Sequence, residues 1–386
     1  MPSLQAFAKS DRKRLPFIET AYQISELANW LLTTAIAVIH SEMAFCGTNR
    51  GNWRDDPLTA QYECSMNEKL HTSATVMPGT DEKQPPELIK IAVIGDVHDQ
   101  WEAADGLALQ QLGIDLALFV GDFGNEAVEV VRAIAALDIP KAVILGNHDA
   151  WYSASSWGKQ KCPYDRTQED RVQQQLELLG DLHVGYGKRD FPNLNLTVVG
   201  ARPFSWGGSD WKNPEFYQAR YGIHNFAQST AHMVTAANQA AHNTIIFLGH
   251  CGPLGLGDRP DDPCGKDWQP IGGDHGDPDF AAAIDQVRQQ GKSIPLVTFG
   301  HMHHHLRHTK ESLRTPLLVS PDATVYLNAA AVPRIIQTDS DRQRNFSLVY
   351  LRNGSVLQAS LIWVDANFTV ITEQILYSQP TGAIEG

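Results

Sequence analysis

Residues 88–98 read LIKIAVIGDVH, an apolar run that stops at a glycine, an aspartate and a histidine. The same pattern returns four times: 115–122 is DLALFVGD, 141–149 is KAVILGNHD, 244–250 is TIIFLGH and 294–303 is IPLVTFGHMH. Short apolar runs ending in polar residues predict strands. Between them, residues 99–112, 126–137, 168–179, 225–241 and 277–290 carry helical patterns, and LNLTVVGARPF (194–204) is a further strand. Strands alternating with helices predict βαβ units and a parallel sheet, hence an α/β fold. Near the end, ATVYLNAA (323–330), NFSLVYL (345–351) and SVLQASLIWV (355–364) alternate as more strands do.

In such sheets functional residues sit on loops beyond the carboxyl ends of the strands. All five runs place a glycine before the first polar residue, letting the chain turn where the strand ends. Asp96, His98, Asp122, Asn147, His148, His250, His301 and His303 can then converge on one point. Carboxylate, amide oxygen and imidazole together suit first-row divalent ions such as Mn, Fe or Zn, and no thiolate cluster suggests structural zinc. Two ions about 3.5–4 Å apart need a shared anionic ligand to offset their repulsion, which one bridging aspartate would supply. A single GD or GH after a strand is most often only a turn; five in one chain, in this order, are not.

The order DxH…GD…GNHD…GH…GHxH resembles the calcineurin-like metallophosphoesterase superfamily, from about Ile89 to the strands after Val325. The resemblance implies an α/β/β/α sandwich of two mixed sheets flanked by helices. It further implies that Asp96, His98 and His303 hold one metal and that Asn147, His250 and His301 hold the other, with Asp122 bridging. A hydroxide held between the metals would attack phosphorus, and His148 would protonate the leaving group; Asp149, grouped with it as catalytic, reads as orienting a neighbouring histidine or capping a helix. The activity implied is phosphodiester or phosphomonoester hydrolysis on a small phosphorylated substrate; the alternative is an inert metal-binding scaffold on the same fold. The runs GLGDRPDDPCGKDW (255–268) and GGDHGDPDF (272–280) resemble a branch of cyanobacterial and plastid proteins.

The Ser/Thr protein phosphatase branch has GDxxDRG as its second motif and GNHE as its third; here they read GDFGNEA and GNHD. Asn125 stands where that branch has an aspartate partner for the catalytic histidine, and Glu126 replaces the arginine. An amide can orient an imidazole but brings no charge to raise its pKa. Asn125 and Arg202 are also candidates to contact substrate, Arg202 because its fork matches phosphate oxygens. Trp206 and Trp211 are candidates to stack on a base or sugar, against a reading as ordinary packing. The loop 251–276 is long enough for a lid or specificity element, with Arg259, Lys266 and His275 as candidate anion contacts. His304, His305 and His308 read as exposed or hydrogen-bonded, Asp99 as a histidine-orienting or helix-capping residue, and Cys251 as packing.

The chain of 386 residues carries 31 Lys and Arg against 44 Asp and Glu, a formal charge of −13. That acidity disfavours general nucleic-acid binding but not a small anionic substrate, because bound cations reverse the local field. Five scattered cysteines without a CxxC pair argue against a disulfide framework and fit a reducing cytoplasm. The apolar stretch 28–40 is too short for a spanning helix, which takes about 20 residues, so no membrane association is expected. Residues 1–87 read as an N-terminal extension and linker, partly disordered, 88–370 as the metallophosphoesterase domain and 371–386 as a tail.

Overall fold

A computed structural model describes residues 86–339 and 341–380. The apolar stretch 28–40, nearly all of the linker and residues 381–386 lie outside the described residues. Among the described residues no helix is long and apolar enough to cross a membrane.

The first apolar run forms β1 (Ile89–Ile94), followed by helix α1 (Ala103–Gln111), β2 (Leu116–Phe119), α2 (Val128–Ala135), β3 (Lys141–Val143) and α3 (Arg171–Leu179). These three strands are parallel neighbours, with Val93 beside Leu118 and Leu118 beside Ala142. The chain continues through β4 (Lys188–Phe191), β5 (Leu196–Gly200), α4 (Phe226–Asn238), β6 (Thr244–Leu248), α5 (Pro278–Gln289) and β7 (Ser293–Phe299). It ends in β8 (Leu317–Val319), β9 (Val325–Asn328), β10 (Ile335–Gln337), β11 (Arg342–Arg352), β12 (Ser355–Val364) and β13 (Val370–Ser378). One sheet has the order β13-β12-β11-β1-β2-β3, with β10 also on β11; the other runs β4-β5-β6-β7-β9-β8. Both mix parallel and antiparallel pairs.

Burial on both sides explains why these strands are apolar throughout rather than alternating. Ile91 and Val93 of β1 join the core that also takes Val198, Ile246 and Leu296 from the second sheet. Ala92 and Ile94, facing the other way, pack with Leu109 of α1, Val131 and Ile134 of α2 and Val172 of α3. Met233 of α4 and Phe280 and Ile284 of α5 pack in the same core as the second sheet. The result is the expected layering of two mixed sheets between helices.

One reading of the sequence is corrected here. The domain does not end at residue 370: β13 pairs antiparallel with β12 from Val370 to Ser378. As an edge strand that is mostly exposed, it lacks the apolar alternation that marks a buried strand. Between β3 and α3, short helices also run from Trp151 to Ala154 and from Ser156 to Lys161.

Candidate metal centre

The five expected loops leave the carboxyl ends of β1, β2, β3, β6 and β7 and meet where the two sheets face each other. The side chains form two groups that share Asp122. In the first, His303 Nε2 lies 3.2 Å and His98 Nε2 3.9 Å from Asp96 Oδ2. The two ring nitrogens are 3.0 Å apart, both turned toward one point. In the second, His250 Nε2 is 2.9 Å from Asn147 Oδ1, and the His250 and His301 rings pack edge-on with centroids 5.1 Å apart. Asp122 reaches both groups: Oδ2 lies 4.0 Å from His98 Nε2 and Oδ1 lies 3.3 Å from His250 Nε2.

The backbone is forced into this shape. His98, Asp122 and His301 have φ of 44°, 53° and 66°, left-handed values that non-glycine residues rarely adopt outside sites where the surroundings over-determine them. The Asp122 carbonyl holds the first loop by accepting the N–H groups of Val97 (3.0 Å) and His98 (2.8 Å). The expectation that every glycine serves a sharp turn holds at Gly121, with φ 97°. Gly146 and Gly300 have a different reason: a Cβ there would lie 2.3 Å from Asp122 Oδ1 and 2.1 Å from Asp96 Oδ1. These positions are glycine because a carboxylate occupies the space.

The electrostatics suit cations. Burial alone would raise the Asp96 carboxyl, but the His303 hydrogen bond and the nearby histidines hold it well below the usual carboxylate range. Burial would lower His303, and its bond to Asp96 outweighs that and raises it. Burial, reinforced by His250, pushes His301 well down, so its imidazole is neutral and its lone pair free for a metal. His250 Nδ1 is 2.8 Å from the Val120 carbonyl, a contact of the kind that fixes a metal-binding tautomer. Clustered ligand atoms of this type, several of them buried, fit two divalent ions.

Other expected residues fall as follows. His148 borders the site; its N–H donates to Asp122 Oδ1 at 2.8 Å and its Nδ1 lies 2.6 Å from Asn125 Oδ1. Asn125 thus touches the histidine that it was expected to partner. Asp149 does not orient a histidine. It is fully buried, and its carboxylate accepts the N–H groups of Asp122, Phe123 and Gly146. Nor is Arg202 free for substrate: it is 2% exposed, paired with Asp277 and Asp279 and enclosed by Trp211, Tyr217 and Phe226. Trp211 is packing in that cluster, whereas Trp206 faces the site cavity. Asp99 is exposed, and Glu102 rather than Asp99 is the N-cap of α1. His304 is buried with Nε2 3.0 Å from the Asn328 carbonyl. Cys251 is buried, with its thiol pushed well up by burial and donating to the Ser205 carbonyl; its sulfur lies near His250 and His301 without the anionic character of a thiolate ligand.

A cavity of about 270 Å³ opens over the centre, lined among others by Asp122, Asn147, His148, His301 and His303. His275 is the one anion candidate of loop 251–276 that reaches it; Arg259 instead pairs with Asp261 at the surface. Trp151, Lys212, Trp268 and Arg307 also line it and were not anticipated, because neither periodicity nor a motif marks them. The long loop is pinned rather than free: buried Arg314 donates to the carbonyls of Pro260, Asp262 and Gly265 at 2.7–3.0 Å.

The model of the calcineurin-like phosphoesterase family matches residues 89–305, more than half of the chain, and the chain belongs to that family. It is a metallophosphoesterase, an enzyme that hydrolyses phosphoesters with a pair of divalent metal ions. Similar solved structures include the protein TT1561 of Thermus thermophilus, with 11% identity over 75% of this chain and all of that one (TM-score 0.41). A dimetal phosphatase from Danio rerio shares 13% identity over 75% of this chain and 99% of its own, also at 0.41. The sulfate thiohydrolase SoxB of Thermus thermophilus shares 15% over 68% of this chain and 42% of its own, at 0.33. No curated protein sequence matches this chain.

Proposed function

We propose that Asp96, His98 and His303 hold one ion, that Asn147, His250 and His301 hold the other, and that Asp122 bridges them. The observation that carries this reading is the placement of the two Asp122 oxygens, one toward His98 and one toward His250. When bound, such a pair of cations supplies an acidified water as nucleophile and neutralises charge on the phosphoryl oxygens. Manganese, iron and zinc all suit the donor set.

His148 is the proton donor to the departing oxygen. It borders the cavity, and its backbone N–H is tied to the bridging carboxylate. Asn125, bonded at Nδ1, fixes the ring so that Nε2 is the nitrogen left for the substrate. With Nδ1–H donated to the Asn125 oxygen, Nε2 carries a proton only in the imidazolium form, which burial disfavours and the neighbouring Asp122 charge favours; that proton passes from Nε2 to the leaving alkoxide and leaves the ring neutral. Arg307 and Lys212 on the cavity wall add positive charge, which suits a small phosphorylated mono- or diester. Three described cysteines, Cys162, Cys251 and Cys264, are free thiols, consistent with a cytoplasmic location.

The test is elemental analysis of the purified protein, then turnover of p-nitrophenyl phosphate and bis(p-nitrophenyl) phosphate with added manganese. Two ions per chain and cleavage of at least one ester are expected. A protein that binds two ions yet leaves a broad phosphoester panel untouched would instead be an inert scaffold on this fold.

A further inference from the structure

Beside the metal centre lies a second cleft of about 490 Å³ that the hydrolytic chemistry does not use. Its lining is Trp151, Ser155, Trp157, Trp206, Lys212 and Asn213. Trp151, Trp206 and Lys212 also line the catalytic cavity, so the two spaces adjoin at these three side chains. Three of the nine tryptophans in the chain therefore gather at one opening.

Their arrangement starts at His148. The Trp151 ring stacks on the His148 imidazole with centroids 4.4 Å apart and planes 11° from parallel. Trp206 stacks on Trp151 at 5.3 Å and 18°, while Trp157 meets Trp151 edge-on at 5.6 Å and 88°. Trp157 is 55% exposed, a large aromatic surface left open to solvent. The segment is held from beneath by Glu126, whose buried carboxylate accepts the Tyr152 N–H at 2.9 Å and the Tyr164 hydroxyl. Glu126 stands where the protein-phosphatase motif has arginine, so this departure from that motif helps to build the wall that carries Trp151.

We infer that this cleft binds a planar ring carried by the leaving alcohol of the substrate, so that the substrate is a nucleoside-type phosphoester. The inference rests on the proposed role of His148. A group that takes its proton from His148 must leave along the His148 side of the phosphorus, and on that side the wall is Trp151 and Trp206, then Trp157. Stacked indole surfaces favour flat aromatic rings, because bases present a π-face to them whatever their edge groups. The Lys212 ammonium, at the junction of the two spaces, is placed for the hydroxyls or phosphate between ring and reacting centre.

The test compares two substrates with the same leaving atom on the metal-loaded full chain: adenosine 5′-phosphate and ribose 5-phosphate, with their methyl diesters as a second pair. Loss of one stacked base is worth roughly tenfold or more in affinity, so kcat/KM is expected to favour the adenosine esters by about that factor. Trp157→Ala and Trp206→Ala should bring the ratio toward one; Trp157 is exposed enough for its truncation to leave folding intact. A ratio near one in the unaltered protein, a ratio that neither variant changes, or equal preference for octyl phosphate would overturn the inference. A second readout needs no turnover: adenosine should quench tryptophan fluorescence saturably, and Trp157→Ala should weaken that quenching. If p-nitrophenyl esters are cleaved but adenosine neither quenches nor is preferred, the ring site is wrong and the hydrolase stands. If adenosine quenches but no ester is cleaved, the hydrolytic reading fails and the ring site stands.

Discussion

The carboxylate of Asp149 accepts the backbone N–H of Asp122 at 3.0 Å, so one buried acid fixes the chain at the acid expected to bridge the metals. The same carboxylate takes the N–H groups of Phe123 at 2.9 Å and Gly146 at 2.6 Å, tying the loop after β2 to the loop after β3. Asp122 is held at a φ of 53°, and these bonds offset the cost of that strained conformation. Burial, with the charge of Asp122 added, pushes the Asp149 carboxyl well up.

Asp149→Ala is therefore expected to do more than remove one side chain. It leaves three buried N–H groups without an acceptor, at about 1–3 kcal/mol each. Chemical denaturation should show a loss of several kcal/mol, and metal content should fall with it. Asp149→Asn, which keeps one acceptor oxygen, should lose distinctly less on both measures. Equal stability of the alanine variant and the parent would remove the strut role.

How much of this was legible follows from which signals are local. The ligand loops could be read because strands buried on both faces are continuous apolar runs, and the residue after each run is where a βα loop begins. The role of Arg202 could not, because its partners lie 75 and 77 residues away and nothing near it in sequence announces a buried pair. It ends β5 much as the ligand residues end their strands, and that likeness misled. Gly146 and Gly300 looked like turn glycines, and only the fold shows a carboxylate oxygen where their side chains would be. Trp151 lies two residues after the GNHD motif and has no periodicity of its own, so its stacking on His148 depends on Glu126 and on the short helix that it begins.

Among the described residues, Asp122 is the carboxylate whose two oxygens face a histidine ring of each ligand group. Asp122→Ala is expected to lower bound metal from two ions per chain toward none, rather than to one, since each ion loses a ligand and the shared anion disappears. Elemental analysis after dialysis reads this directly. Retention of two ions would exclude bridging.

His148 and Asn125 separate proton donation from metal binding. His148→Ala should keep both ions and cut kcat by about 10²–10⁴, the usual range for general acid catalysis. Asn125→Ala should lower kcat by a smaller factor, because it removes the orienting bond and not the proton. The two losses should be less than additive when combined, as for residues acting as one unit. A His148→Ala variant with unimpaired kcat on esters of poor leaving groups would rule out the acid.

Arg202 gives a stability prediction with no kinetic counterpart. It is buried against Asp277 and Asp279; Asp277, the N-cap residue of α5, makes no side-chain cap there, its Oδ1 taking Arg202 and the Ser205 hydroxyl while its Oδ2 finds no partner among the described residues. Arg202→Ala leaves two buried acids uncompensated and should cost about 3–5 kcal/mol, measured by denaturation. At temperatures where the variant remains folded, KM for any ester that the enzyme cleaves should be unchanged. A raised KM with unaltered stability would restore Arg202 to the substrate site.

His183 predicts where acid weakens the fold. Burial lowers its imidazole from an ordinary value of 6.5 to about 4, and its buried Nε2 finds no hydrogen-bond partner among the described residues. The sign follows from proton counting. Above pH 6.5 neither the folded nor the unfolded chain protonates this ring, and its full contribution to stability is present. Between 6.5 and 4 the unfolded chain binds a proton that the folded chain refuses, so stability falls as pH falls, by up to about 3 kcal/mol. His183→Leu removes the titrating group, and the difference between variant and parent should grow steadily in the variant's favour across that window. Because both proteins share every other histidine, metal loss and acid titration elsewhere cancel in the comparison. Parallel stability curves from pH 6.5 to 4 would mean that His183 takes up its proton as readily in the fold as out of it.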